Sequence, residues 1–357
     1  METPVSEQQQ LRAALDAALA ATIDFGIRKL KDPRWEPAPD SEASAELASR
    51  QIGQDGQPWS EDVLRTPYAL ASLLMTGVLD NLGSIRQLIS DPMPAIGPTV
   101  IARSAMEIGA TAWWLMQPEI GARRRTCRQL VLSLVSARRA AQVAEELRDD
   151  ESREEGLAQE DRVLAQITGL AISPPEGPRY KPVIEGESLP EATEITATML
   201  EPCYPALTGT RSFYRSYSAV LHGQVYGLMN FMTPAIQADG TILLSWQLRG
   251  SVLYGAVEVA LLSFREPFKR INQQMGWGRL EYDLWHARAG RALEMVTTRG
   301  AWHLWTAISA TSAGGTGTEL AQAPCGRRDP AICGTPRRGL VAVPAVLTSA
   351  LARRRYE

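Results

Sequence analysis

The chain has three histidines, and His222 keeps the company best suited to chemistry. It belongs to the run Arg211-Ser-Phe-Tyr-Arg-Ser-Tyr-Ser-Ala-Val-Leu-His-Gly223. Residues four or seven apart share a face of a helix. Tyr214, Ser218 and His222 therefore stack along one edge, and Arg215 joins His222 from two turns away. One strip offers a guanidinium, a phenol, a hydroxyl and an imidazole. Imidazole exchanges a proton near neutral pH. Arginine holds a phosphate through two hydrogen bonds and stabilises charge that develops on it. The set suits phosphodiester cleavage in RNA, whose own 2′-hydroxyl is a nucleophile that needs no metal. A histidine at the middle of an apolar helix also has a plainer reading, as a core residue hydrogen-bonded to a neighbour. Both readings stand on sequence alone.

Arg215, six intervening residues and His222 fit the Arg-(four to six)-His motif of HEPN domains, which are helical bundles that include metal-independent endoribonucleases. The flanking Tyr-Arg-Ser-Tyr-Ser-Ala-Val-Leu-His-Gly and the upstream Ala-Arg-Ser-Ala-Met-Glu resemble a group of bacterial helical proteins related to HEPN domains. The resemblance covers Leu70 to Phe268, and Ser216 stands as the polar residue after the motif's arginine. It implies that Arg215 and His222 are the catalytic pair, that RNA is the partner, and that a homodimer is the active unit. It implies no cofactor. The alternative from a different class is a non-catalytic helical scaffold whose Trp- and Tyr-lined groove binds a protein partner. Catalysis requires His222 and Arg215 exposed in a common cleft, whereas a scaffold role predicts both buried and satisfied.

Arg103 and Glu107 form a second constellation, four apart in a segment otherwise nearly all apolar. A charged pair there must be compensated if buried. It either lines a pocket facing His222 or serves as an internal ion pair that fixes helix register. Both readings place it at least partly out of water. With Tyr214 and Ser218 the pair completes the expected substrate-binding set. Arg123, Arg124, Arg125 and Arg128 read as a solvated face, or as a phosphate-binding patch. Asp283 and His286 have a helical metal-ligand spacing but no second such pair, so no metal centre is expected. His303, beside Trp302 and Trp305, reads as packing.

These groups must be positioned by helices. Leu11, Leu15, Leu19, Ile23 and Ile27 recur every four residues within a helix expected over 7–30. Prolines, glycines and polar residues make 33–57 a linker with one helical turn inside it. Ser60 before Glu61 and Asp62 caps a helix to Ile89, with a kink expected at Pro67. Further helices are expected over 99–116, 123–150 and 151–170, the last two as a solvated hairpin projecting from the core. A loop follows over 173–190, then helices over 192–200, 211–231, 250–274 (kinked at Pro267), 280–297 and 301–308. Thr241 to Trp246 is the one expected strand.

The expected fold is all-α: an irregular bundle with a projecting hairpin and at most one short β element. Three segments divide it: an N-terminal helix and linker (1–60), a main helical domain (61–310) and a disordered basic tail (311–357). The tail carries seven arginines against three acids. With 45% hydrophobic residues, a full core is expected. A net charge of −3 argues against a general nucleic-acid surface and leaves room for a local patch. Four scattered cysteines without a CxxC pair fit a reducing compartment. The first ten residues lack the basic and apolar regions of a signal peptide, and no apolar stretch looks long or uncharged enough to span a bilayer. A cytoplasmic location follows as the expectation. Walker and dinucleotide loops, nucleophile elbows and HExxH are all missing from the sequence.

Overall fold

The computed structural model describes residues 7–31, 35–89, 96–204, 210–236, 242–246 and 250–297. The expected helix at 301–308, His303, the turn at 238–240 and the tail over 311–357 lie outside them. Among the described residues the fold is all-α, as the periodicities predict. The helices are α1 (Glu7–Leu30), α2 (Glu42–Leu47), α3 (Glu61–Leu88), α4 (Gly97–Leu115), α5 (Gly121–Leu147), α6 (Asp150–Gly169), α7 (Ala192–Leu200), α8 (Arg211–Leu221), α9 (Val225–Leu228), α10 (Gly250–Met275) and α11 (Arg279–Thr297).

α10 is the axis of the core. Its residues from Val257 to Phe268 are buried without a break. A helix covered around its whole circumference lies inside a bundle, here with Glu258, Arg265 and Glu266 buried among its apolar residues. α4 crosses it at Gly109, where a Cβ would fall 2.2 Å from the Ser263 carbonyl oxygen. Pro267 lacks the N–H that would bond that carbonyl in a regular helix. α10 nevertheless continues through Pro267, as α3 continues through Pro67, so neither proline ends its helix. α3 packs on α4, and α1 lies across α3 and α11, bringing Phe25 face to face with Trp285 at 4.8 Å.

α3 is long and apolar enough to cross a membrane by length and composition. This corrects the sequence estimate, which counted only its central stretch. In this structure its stripe of Leu64, Tyr68, Ala71, Met75, Val78, Leu82 and Ile85 is buried in the bundle.

α5 and α6 form the expected hairpin, with a core of their own. Leu130, Val131, Leu134, Val163 and Ile167 pack with Trp59 and Ile184. The helices approach closely at Gly156, where a Cβ would meet the Ala141 backbone at 2.8 Å. The β element is a hairpin rather than a lone strand: β1 (Met232–Ile236) pairs antiparallel with β2 (Ile242–Trp246). β1 escaped sequence reading because Pro234 breaks its pattern.

The largest change concerns the segment over 211–231, expected as one helix. α8 stops at Leu221, with His222 as its C-cap and Gly223 at φ +64°. The Gly223 N–H donates to Val220 O at 3.1 Å and the Gln224 N–H to Ala219 O at 2.8 Å. Those paired bonds are the Schellman arrangement, which needs a left-handed residue that glycine supplies without steric cost. α9 then folds back on the end of α8, where a Cβ on Gly227 would lie 2.7 Å from Val220 N.

Candidate functional site

α8 buries Tyr214, Ala219 and Val220, with Phe213 and Tyr217 partly covered. Arg215 and His222 are exposed to one side of Tyr214, and Ser218 is half-buried between Tyr214 and His222. Helical geometry explains the division. Arg215 and His222 are seven apart and fall within ~20° of each other around the axis, whereas Tyr214 and His222, eight apart, diverge by ~80°. The four-part strip read from the sequence therefore splits, with the phenol turned in and the guanidinium and imidazole turned out.

The inward part meets the second constellation. Arg103 Nη2 donates to the Tyr214 hydroxyl at 2.8 Å, and that hydroxyl donates to Glu107 Oε1 at 2.5 Å. Arg103 and Glu107 are themselves paired at 2.7 Å, with 15% and 35% of their side chains exposed. The guanidinium also sits 5.0 Å from the Tyr214 ring centre. Burial first, and then the hydrogen bond to Glu107, raise the phenol's pKa. Arg103, Glu107 and Tyr214 thus form one closed triad that clamps α8 on α4.

The outward part has no such closure. Among the described residues neither the Arg215 guanidinium nor the His222 imidazole has a hydrogen-bond or ion-pair partner. The Tyr226 hydroxyl donates to the backbone oxygen of Arg215 at 3.4 Å, leaving the guanidinium untouched. His222 is a cap at a helix end, which corrects its reading as the middle of an apolar helix. The Leu-His-Gly sequence carried that signal, since glycine is enriched just past helix ends.

The arginines opening α5 are neither a solvated face nor a free phosphate patch. Arg125 is fully buried and grips Glu46 through two bonds of 2.9 Å, while its Nη1 donates to Leu115 O at 2.9 Å. Tyr68 donates to the same carboxylate at 2.7 Å. Arg128 donates to Glu187 Oε2 at 2.6 Å and to Trp114 O at 2.5 Å. Arg124 shares Glu187, and Arg123 pairs with Glu185 at 2.5 Å. Glu46, Glu185 and Glu187 come from the expected linker and the expected proline-rich loop, and no sequence spacing joins them to α5.

A polar group missed at the sequence level sits inside α10. Glu258 is 4% exposed, and its Oε1 has no hydrogen-bond partner. Tyr204 faces it, its hydroxyl working against the effect of burial, and the field of the carboxylate reaches Tyr217 and Tyr254 as well. Burial pushes the Glu258 carboxyl up to about 7. The sequence signal is a glutamate among the apolar residues of the 250–274 segment. His286 is stacked on Tyr282 at 6.1 Å, and burial drives its pKa down to about 4. Cys127 and Cys203 are buried free thiols, both pushed up to about 12 by burial. Among the described residues no three His, Cys, Asp or Glu side chains group as a metal site.

No protein-family model, curated protein or solved structure matches the chain. The reading of function therefore rests on the chemistry of α8 and its neighbours.

Proposed function

We propose that the protein is a HEPN-like RNA-binding protein that cleaves RNA without a metal, with Arg215 and His222 as its catalytic pair. One observation carries the reading: both side chains project from the outer face of α8 with no protein partner among the described residues. An exposed guanidinium and an exposed imidazole seven residues apart on one helix, neither paired among the described residues, fit a site that receives its partner from outside. Their α-carbons lie roughly 10 Å apart along the helix.

In the proposed reaction His222 takes the proton from a ribose 2′-hydroxyl. The 2′-oxygen bonds to phosphorus as the phosphorus–5′-oxygen bond breaks, and the leaving alkoxide is protonated from solvent. Arg215 neutralises the charge gathering on the phosphoryl oxygens. The products are a 2′,3′-cyclic phosphate and a 5′-hydroxyl end. Arg103, Glu107 and Tyr214, expected as substrate ligands, are engaged with one another and act in this reading by holding α8. Ser218 remains a half-buried neighbour of the pair.

The second reading, a surface that binds a protein partner, draws on the exposed Leu221, Val225, Tyr226 and Met229. Incubation of the full chain with single-stranded RNA in EDTA separates the two. Cleavage to cyclic-phosphate ends, lost in both Arg215→Ala and His222→Ala while their melting curves match wild type, is the expected result. Intact RNA under all conditions would sink the nuclease reading and favour the partner surface.

A further inference from the structure

We infer that Tyr226 is a stacking platform for an unpaired RNA base, set so that the neighbouring phosphate reaches Arg215. The inference rests on the RNA reading above and deepens it by adding a residue that grips the base. Tyr226 is 60% exposed, beside Val225 at 75% and Met229 at 47%. Exposed aromatics on short segments are usually mobile, but this one is tied at both ends. Its hydroxyl reaches back to Arg215 O, and the next residue, Gly227, is pressed on the end of α8 with no room for a Cβ. The ring therefore offers its surface to solvent beside the helical turn that carries Arg215.

Charge points to the same ligand. From Pro202 to Ala238 the chain contains no Asp or Glu, against 40 in the whole sequence, while Arg211, Arg215 and His222 all fall within that span. Arg211 is paired with Glu194 at 2.5 Å, which leaves Arg215 as the unneutralised cation. An aromatic face next to a free guanidinium is how single-stranded nucleic acid is held without sequence readout: the base stacks and the phosphate pairs. A duplex hides its base faces and has no use for the ring.

The test is binding, measured by fluorescence anisotropy of the full chain with labelled oligouridine. A 2′-O-methyl backbone blocks cleavage, and a second oligomer carries abasic sites in place of its central bases. Base stacking on an aromatic is worth ~1–3 kcal/mol, so Tyr226→Ala and Tyr226→Leu should weaken the base-bearing oligomer roughly 5- to 100-fold. Both variants should bind the abasic oligomer as wild type does. Tyr226→Phe, which keeps the ring and loses its tie to Arg215 O, should bind better than Tyr226→Leu and no better than wild type, whereas Arg215→Ala should weaken both oligomers and flatten the salt dependence. Unchanged affinity in Tyr226→Ala and Tyr226→Leu, or equal loss on both oligomers, would overturn the platform and leave the RNA reading in place. Failure of wild type to bind either oligomer would remove the RNA reading and the platform together. Light scattering on the same samples covers the remaining occupant: a wild-type dimer that Tyr226→Ala dissociates would make this surface a self-association face and overturn the inference.

Discussion

The N-terminal turns of α5 and the outer face of α8 both display arginines, and they use them in opposite ways. At α5, four arginines meet four carboxylates (Glu42, Glu46, Glu185 and Glu187) from distant parts of the chain, and two of the four arginines are buried. At α8, Arg215 meets no carboxylate among the described residues and is exposed. A guanidinium taken into the interior must be neutralised, because desolvating a lone charge costs more than packing returns. One left at the surface costs little and remains available. The availability of a cation, and not its presence, marks the candidate site.

The comparison breaks first at Glu46. Removing it in Glu46→Ala strips buried Arg125 of its two-bond partner and leaves only Glu42, at 3.5 Å, which should cost about 3 kcal/mol of unfolding free energy. Denaturant melts would read this directly. A loss under about 1 kcal/mol would mean that water enters and solvates Arg125, and the contrast between buried and free arginines would fall.

Glu258 sharpens the comparison as a buried carboxylate without a paired guanidinium. Its folded pKa of about 7 lies above the ordinary 4.5, so the folded state holds the proton more tightly than the unfolded chain. The associated stability is fully present below pH 4.5 and is lost as pH rises through 7. Glu258→Gln, which is always neutral, should match wild type near pH 4.5. At pH 8 it should be more stable by on the order of 3 kcal/mol, at about 1.4 kcal/mol per unit of pKa. A difference between the two proteins that stays flat across that range would show Glu258 ionised at no cost.

The smallest effects belong to α8. Tyr214→Phe removes a hydroxyl that bridges Arg103 and Glu107, a loss of about 1–2 kcal/mol in thermal stability. Arg215→Ala should stay within about 0.5 kcal/mol of wild type, as an exposed side chain without partners does. If Arg215→Ala proved as destabilising as Tyr214→Phe, the inward and outward faces of α8 would not be distinct.

Sequence periodicity located most of the helices, because amphipathic spacing and capping act within a few residues. Ser60 accepts from Val63 N as the capping pattern predicts. The candidate site was only half legible. Arg103, Glu107, Tyr214, Arg215 and His222 were named by type and spacing, but the strip was read as a single face. A drift of ~80° over eight residues separates Tyr214 from His222, and that division shows only once α4 is known to cover one side. Tyr226 went unnoticed because a turn, not a helical period, returns it to Arg215.

The sequence by itself determined the all-α class, the positions of the main helices, and an arginine and an imidazole two turns apart. These follow from interactions between residues close along the chain. Only the tertiary structure decided which charges are spent. The carboxylates that silence Arg123, Arg124, Arg125 and Arg128 come from segments dozens of residues away. Among the described residues no comparable carboxylate reaches Arg215, and that guanidinium and His222 are both exposed.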